Sequence, residues 1–340
     1  MTKFDISITI KGVKNYAEAY MFSVGIDLGG TNIAVGITDE NYNIIKKGSV
    51  PTLAHRPCEE IVADMVALCQ KLSAECGYEL TDTSGVGIAC PGTVNDATGI
   101  VEYANNIKFY NFPLKETYSR ISKIPQDKIV IGNDANLAAL DEAFAGEAKG
   151  TSSSVTITLG TGVGSGIIID GKMLVGCANG GAELGHMVIE KNGRPCSCGR
   201  RGCFEAYCSA TALVARTKET FLDRPDSLMR QMCDNDVKKV GGKTAFAAMR
   251  KGDEAAKEVV DEYIEYLACG IANIINVFQP EMLCIGGGIS GEKENLLNPL
   301  IPLVEKDVYS ADNVLKTKIK IAKLGNDAGI IGAAAAAGTK

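Results

Sequence analysis

The pattern of apolar and polar positions divides the chain into two halves with the same order of elements. Phe22–Asp27 is an apolar run that enters a Gly-Gly turn, Asn32–Thr38 alternates and stops at Asp39-Glu-Asn, and Tyr42–Val50 continues as a third strand. Glu59–Cys76 has helical spacing, with Ile61, Val62, Met65, Val66, Leu68, Cys69 and Leu72 on one face. Val86–Ala89 predicts a short buried strand entering Pro91-Gly92, and Lys128–Ile131 another ending at Gly132-Asn133-Asp134. A helix is expected from Ala135 to Ala145.

The second half repeats this plan about 130 residues later. Val155–Leu159 enters Gly160-Thr161-Gly162, and Gly164–Asp170 with Lys172–Val175 predicts a hairpin across Asp170-Gly171. A long helix over Asp261–Phe278 leads to a strand at Met282–Ile285, which enters Gly286-Gly287-Gly288. The Ala-rich residues 326–340 predict a closing helix. A repeat of this length implies duplicated α/β domains facing each other across a cleft. The expected division is an N-terminal extension at 1–21, one domain at 22–134 plus 326–340, and a second at 135–325. Met21, directly before the first core strand, is a candidate initiator.

Composition narrows the function. The net charge is −6 and no basic run stands out, which argues against nucleic acid as the main partner. No apolar run reaches membrane-spanning length, and the N-terminus lacks signal-peptide order. The chain has 12 Cys, and Cys58, Cys69, Cys76, Cys90, Cys269 and Cys284 fall in apolar elements. They read as small buried thiols, which places the protein in a reducing cytoplasm.

Four motifs carry chemistry. Asp27-Leu-Gly29-Gly30-Thr31 ends a strand. Glycines there let backbone amides approach phosphate oxygens, Thr31 adds a hydroxyl donor, and Asp27 suits a hydrated Mg²⁺; the same sequence also serves as a tight turn. Gly160, Gly162, Gly164 and Gly166 alternate, leaving a bare strand face for a phosphate chain or for close packing. Asn133-Asp134-Ala-Asn136 is either a helix N-cap or a carboxylate at a strand end that accepts a proton from a substrate hydroxyl. His186, Cys196, Cys198 and Cys203 form a closed four-ligand set for a structural Zn²⁺, flanked by Glu183 and Glu205. Two motifs are excluded. Gly242-Lys243-Thr244 is not a P-loop, because Val237 stands where the earlier glycine is needed. Neither glycine run is a dinucleotide fingerprint, because both lead into hairpins.

In this order, Asp27-Leu-Gly-Gly-Thr31, Asn133-Asp134-Ala-Asn136, Leu159-Gly-Thr-Gly-Val-Gly164, Glu183-Leu-Gly-His186 and Cys196-x-Cys-Gly-x-x-Gly-Cys203-x-Glu205 resemble the ROK family (repressor, open reading frame, kinase) from about residue 22 to the end. That family lies within the actin-like sugar kinases. The resemblance implies two actin-like (ribonuclease H-like) domains and ATP-dependent phosphorylation of a hexose, most simply glucose. Asp134 matches the family's base, and Asn133, Glu183, His186 and Glu205 match ligands of the sugar hydroxyls. His186 also matches a zinc ligand. Asn106 matches a further sugar-contacting loop. Gly30, Thr31, Gly160, Thr161 and Gly162 match the phosphate turns, and Gly286 and Gly287 would lie near the adenosine.

The chain departs from the family at Asn32, where Lys is common, at Ala182, where Gly precedes the Glu, and at Phe109-Tyr-Asn-Phe112, where a Trp is common. N-acetylmannosamine, mannose, fructose and allose are alternative substrates. A sugar-responsive repressor of the same family needs a helix-turn-helix domain before Phe22, where no such pattern is found. A homodimer is the default assembly.

Overall fold

The computed structural model describes residues 22–104, 107–144, 146–177, 180–310, 312–323 and 327–338. In its first half β1 (Ser23–Leu28), β2 (Asn32–Thr38) and β3 (Ile44–Pro51) form a meander, followed by α1 (Cys58–Glu75) and β4 (Gly85–Cys90). A small antiparallel sheet of β5 (Thr93–Asn95), β6 (Ile100–Ala104) and β7 (Phe109–Phe112) comes next, then α2 (Leu114–Ser122), β8 (Ile129–Asn133) and α3 (Asp134–Phe144). The second half begins with β9 (Ser154–Leu159), β10 (Val163–Ile169) and β11 (Lys172–Met173). It continues through α4 (Glu205–Cys208), α5 (Ala210–Asp223), α6 (Leu228–Met232), α7 (Thr244–Met249) and α8 (Glu254–Phe278). It ends with β12 (Met282–Gly286), α9 (Glu294–Asp307), β13 (Lys318–Ile321) and α10 (Ala328–Gly338).

The repeat read from the sequence is a repeat of topology. The first sheet runs β3-β2-β1-β4-β8 and the second β11-β10-β9-β12-β13. In each, an antiparallel meander is extended by two parallel strands, β1∥β4∥β8 and β9∥β12∥β13. Parallel strands need helical crossovers, and each sheet has its own apolar cluster: Val24, Ile26, Val86 and Ile131 in one half, Val155, Ile157, Leu267 and Leu283 in the other. The Asp170-Gly171 hairpin has both φ angles positive, 51° and 70°, as a two-residue primed turn requires.

Three expectations shift. The long helix starts at Glu254 rather than Asp261, because the Asp253 side chain accepts from the Ala256 N–H at 3.0 Å and Ala255, Ala256, Val259 and Val260 are buried. The three strands of the small sheet, three to five residues each, carried no legible period. Of the thiols taken as buried, Cys69, Cys90 and Cys284 are, whereas Cys58, Cys76 and Cys269 are half-buried.

The Ala-rich segment forms α10, whose contacts explain several strand glycines. A Cβ on Gly25 would lie 1.8 Å from the Ile330 carbonyl oxygen, and one on Gly87 1.8 Å from that of Ala333. The helix backbone therefore rests directly on β1 and β4. Its other side meets α3, where a Cβ on Gly332 would lie 2.1 Å from the Leu137 carbonyl oxygen. α3 in turn packs on β9 and β10, so α3 and α10 lie between the two sheets.

Candidate active site

A cavity of about 650 Å³ opens between the halves, lined by strand ends and turns from both. From the first half come Gly29 and Gly30 after β1, the Pro91-Gly92-Thr93 turn after β4, and Asn133 and Asp134 where β8 becomes α3. From the second come Thr158, the Gly160-Thr161-Gly162 turn, Glu183, His186 and Glu205.

The glycine turns are fixed from behind. Gly29 N–H donates to the Asn32 carbonyl at 2.9 Å, and the Thr52 hydroxyl donates to the Gly29 carbonyl at 2.6 Å. Gly160 N–H donates to the Gly162 carbonyl at 3.0 Å, while the Thr211 hydroxyl donates to the Thr161 carbonyl at 2.7 Å. Gly162 lacks a Cβ for a local reason: one would lie 2.3 Å from Glu205 Oε2. Gly166 packs on α3, where a Cβ would lie 2.4 Å from that of Ala139. The alternating glycines thus divide between the cavity and helix packing.

At Asn133-Asp134 the two residues part: one caps α3 and the other faces the cavity. Asn133 is the cap: its Oδ1 accepts from the N–H groups of Ala135 at 3.0 Å and Asn136 at 3.2 Å, while its Nδ2 donates to the Gly92 carbonyl at 3.0 Å. Asp134 accepts one backbone bond, from Ala135 N–H at 2.8 Å, and otherwise faces the cavity. Its side chain is accessible from the cleft, yet the cleft walls surround it with protein. Loss of bulk hydration therefore raises its pKa, and the neighbouring charge of Glu183 raises it further. Asp27 is pushed up to about 6, by burial first and Asp134 second.

Glu205 opens α4 and is held at both oxygens. Oε2 accepts from the Val163 N–H at 3.0 Å, and Oε1 accepts from the Ser197 hydroxyl at 2.9 Å. The ligand atoms of His186, Cys196, Cys198 and Cys203 all lie within 4.8 Å of one another. Cys196 Sγ is 3.6 Å from His186 Nδ1, and Cys198 Sγ is 3.7 Å from Cys203 Sγ. With Zn–S near 2.3 Å and Zn–N near 2.0 Å, the edges of a ligand tetrahedron are about 3.5–3.8 Å. The donor set therefore fits a four-coordinate zinc, with His186 presenting Nδ1 to it.

Asp27, Thr31, Gly286 and Gly287 do not line this cavity. Gly286 pairs in register with Thr158, which does, and Gly287, at φ 83°, backs onto Leu159. Asn106 lies outside the described residues. Sequence reasoning missed Tyr103, Thr93, Thr158 and Ser165 as lining residues; strand positions of this kind carry no signal beyond β propensity.

Two halves of one strand order, each turning a glycine loop toward a shared cleft, define an actin-like α/β protein of the sugar kinase type. The ROK family pattern matches residues 23–340, and the chain belongs to that family. It is 36% identical over 312 residues to a glucokinase of Thermotoga maritima, covering 92% of this chain and 95% of that one. It is 36% identical over 315 residues to a glucokinase of Halalkalibacterium halodurans, covering 91% and 92%. Among solved structures it resembles a ROK family glucokinase from Streptomyces griseus in complex with glucose and AMPPNP. There the TM-score is 0.81 at 33% identity, covering 94% of this chain and all of the other.

Proposed function

We propose that the protein transfers the γ-phosphoryl group of ATP to the 6-hydroxyl of glucose, with Asp134 as general base. The observation that carries this is the Asp134 carboxylate, open to a cavity with a backbone-lined glycine turn on either side. Asp134 orients the hydroxyl and accepts its proton as the oxygen bonds to phosphorus and the bridging oxygen leaves with ADP. Asn133, Glu183, His186, Glu205 and Asn106 hold the remaining hydroxyls. Gly29, Gly30, Thr31, Gly160, Thr161 and Gly162 hold the phosphates, with Gly286 and Gly287 toward the adenosine.

Asp27 would hold Mg²⁺ through its water shell, and that ion would neutralise phosphate charge when bound. His186, Cys196, Cys198 and Cys203 would hold a structural zinc that braces the loops carrying Glu183 and Glu205. The lobes are 22–134 plus 326–340 and 135–325. Their closure excludes water from the transfer. The enzyme works in the cytoplasm, as a homodimer. Among the described residues, no helix is long and apolar enough to cross a membrane.

The test is ADP release with Mg-ATP and single hexoses, with Asp134→Asn alongside. Turnover with glucose is expected in the wild type. In the variant kcat should fall by about 10²–10⁴, with glucose affinity retained. Because the folded carboxyl is raised, the acid limb of the wild-type rate should lie above the ordinary carboxylate range, with rate rising as Asp134 loses its proton. Wild-type turnover in the variant would remove Asp134 as the base. Turnover with an N-acetyl sugar alone would change the substrate.

A further inference from the structure

The polar residues of the cavity suit the hydroxyl edge of a hexose, but a pyranose also has two faces of C–H groups. Sites for such ligands combine a few placed polar groups with apolar and aromatic surface. Among the described lining residues, Tyr103 alone carries a phenyl ring.

Tyr103 is tied to the base by a short chain of contacts. Asn133, the neighbour of Asp134, donates to the Gly92 carbonyl at 3.0 Å. Gly92, at φ 91°, sits so close to β6 that a Cβ would lie 2.0 Å from the Tyr103 carbonyl oxygen. Thr93 then pairs with Tyr103 across β5 and β6. One turn therefore fixes Tyr103 relative to Asp134. The ring is braced from the side by Tyr110, its cross-strand partner, with centroids 5.6 Å apart and planes at 60°. Tyr103 nonetheless remains 47% exposed, so ring surface is available to a ligand. A half-exposed tyrosine whose backbone and flank are both held costs little further entropy on binding.

We infer that Tyr103 contacts the sugar, laying its ring against the apolar face of the bound pyranose. This rests on the hexose-kinase reading above and adds a residue to it. A contact made equally in the ground and transition states changes affinity and leaves kcat alone.

The experiment uses the full chain. Glucose binding is measured by calorimetry without ATP, and ADP release gives KM and kcat. Tyr103→Ala and Tyr103→Gln should each raise the glucose Kd and KM about tenfold, with kcat within about twofold, while Tyr103→Phe should stay near wild type. Gln keeps polarity without a ring and supplies the answer if the Ala variant is unstable. Glucose Kd and KM within twofold of wild type in either ring-less variant would overturn the inference alone. So would a Phe variant as weak as the Ala variant, because the hydroxyl rather than the ring would then be the contact. A wild type that binds no hexose would overturn both the inference and the reading beneath it.

Discussion

Ala182 adopts φ 64°, a left-handed conformation that penalises a Cβ, directly before Glu183. The family resemblance expects glycine at this position, and the backbone explains why. The segment is held in place: the Ser165 hydroxyl donates to the Ala182 carbonyl and accepts from the Leu184 N–H at 3.0 Å. The left-handed strain of about 1–2 kcal/mol exceeds the roughly 0.4–1 kcal/mol that alanine gains by restricting the unfolded chain. Ala182→Gly should therefore stabilise the protein by about 0.5–1 kcal/mol, read as a higher denaturation midpoint with unchanged slope. An unchanged or lower midpoint would mean that the loop relaxes around the alanine. At this scale the polar candidates that the fold brings together were legible because their types and spacings are restrictive: a carboxylate at a strand end, or one His and three Cys within about twenty residues. Tyr103 was not legible, because an aromatic residue in a strand looks the same whether it meets the core or a ligand.

The Cys-rich loop from His186 to Glu205, bridged at Val188–Cys203 and Pro195–Arg201, has two independent anchors. One is the cluster of His186, Cys196, Cys198 and Cys203, which joins the ends of the loop to its turn. The other is Arg194, which pairs with Glu262 of α8 at 2.7 Å and lies over the rings of Tyr207 and Tyr266, 4.7 and 5.7 Å from their centroids. Arg216 also pairs with Glu262, at 2.7 Å. Removing one Cys side chain should therefore loosen the cluster and leave Arg194 docked. Cys198→Ser is expected to lose zinc, measured by metal content, and to weaken glucose binding, with secondary structure by circular dichroism preserved. A metal-free variant with wild-type glucose affinity would separate the loop from the sugar site. The His and Cys cluster was readable from the sequence, but the Arg194 anchor was not, since its partners lie 13 to 72 positions away. Likewise β1, β2 and α1 were legible from periodicity. The small sheet was not, because strands of three to five residues fall below the length at which alternation is visible.

Across the whole molecule, the duplicated plan was legible because each copy repeats a strand, a glycine turn and two further strands. The layer between the copies was not. Its helices α3 and α10 join residues nearly two hundred positions apart, and it encloses a buried carboxyl group. Asp141 is fully buried on α3, neither of its oxygens has a hydrogen-bond partner among the described residues, and its Cβ would lie 3.1 Å from one on Gly332 of α10. Among the described residues the elements packed on it offer no cation: α10 reads Ala-Gly-Ile-Ile-Gly followed by alanines and a glycine, and β9 and β10 carry no charged residue. The charge that acts on it is that of Glu142, which is also buried. Burial first, and Glu142 second, push Asp141 up to about 8. An acid raised in the folded state contributes no penalty below its unfolded pKa near 4, where both states are protonated. As pH rises from about 4 toward 8, the unfolded chain ionises and the folded one does not, so this group lowers stability by up to about 1.4 kcal/mol per pH unit. Asn has the shape of the protonated acid and cannot ionise. Asp141→Asn should therefore unfold near the wild-type midpoint at pH 4 and well above it at pH 8, with the gap widening between. A constant gap across that range would mean that Asp141 is ionised in the fold and has found a partner.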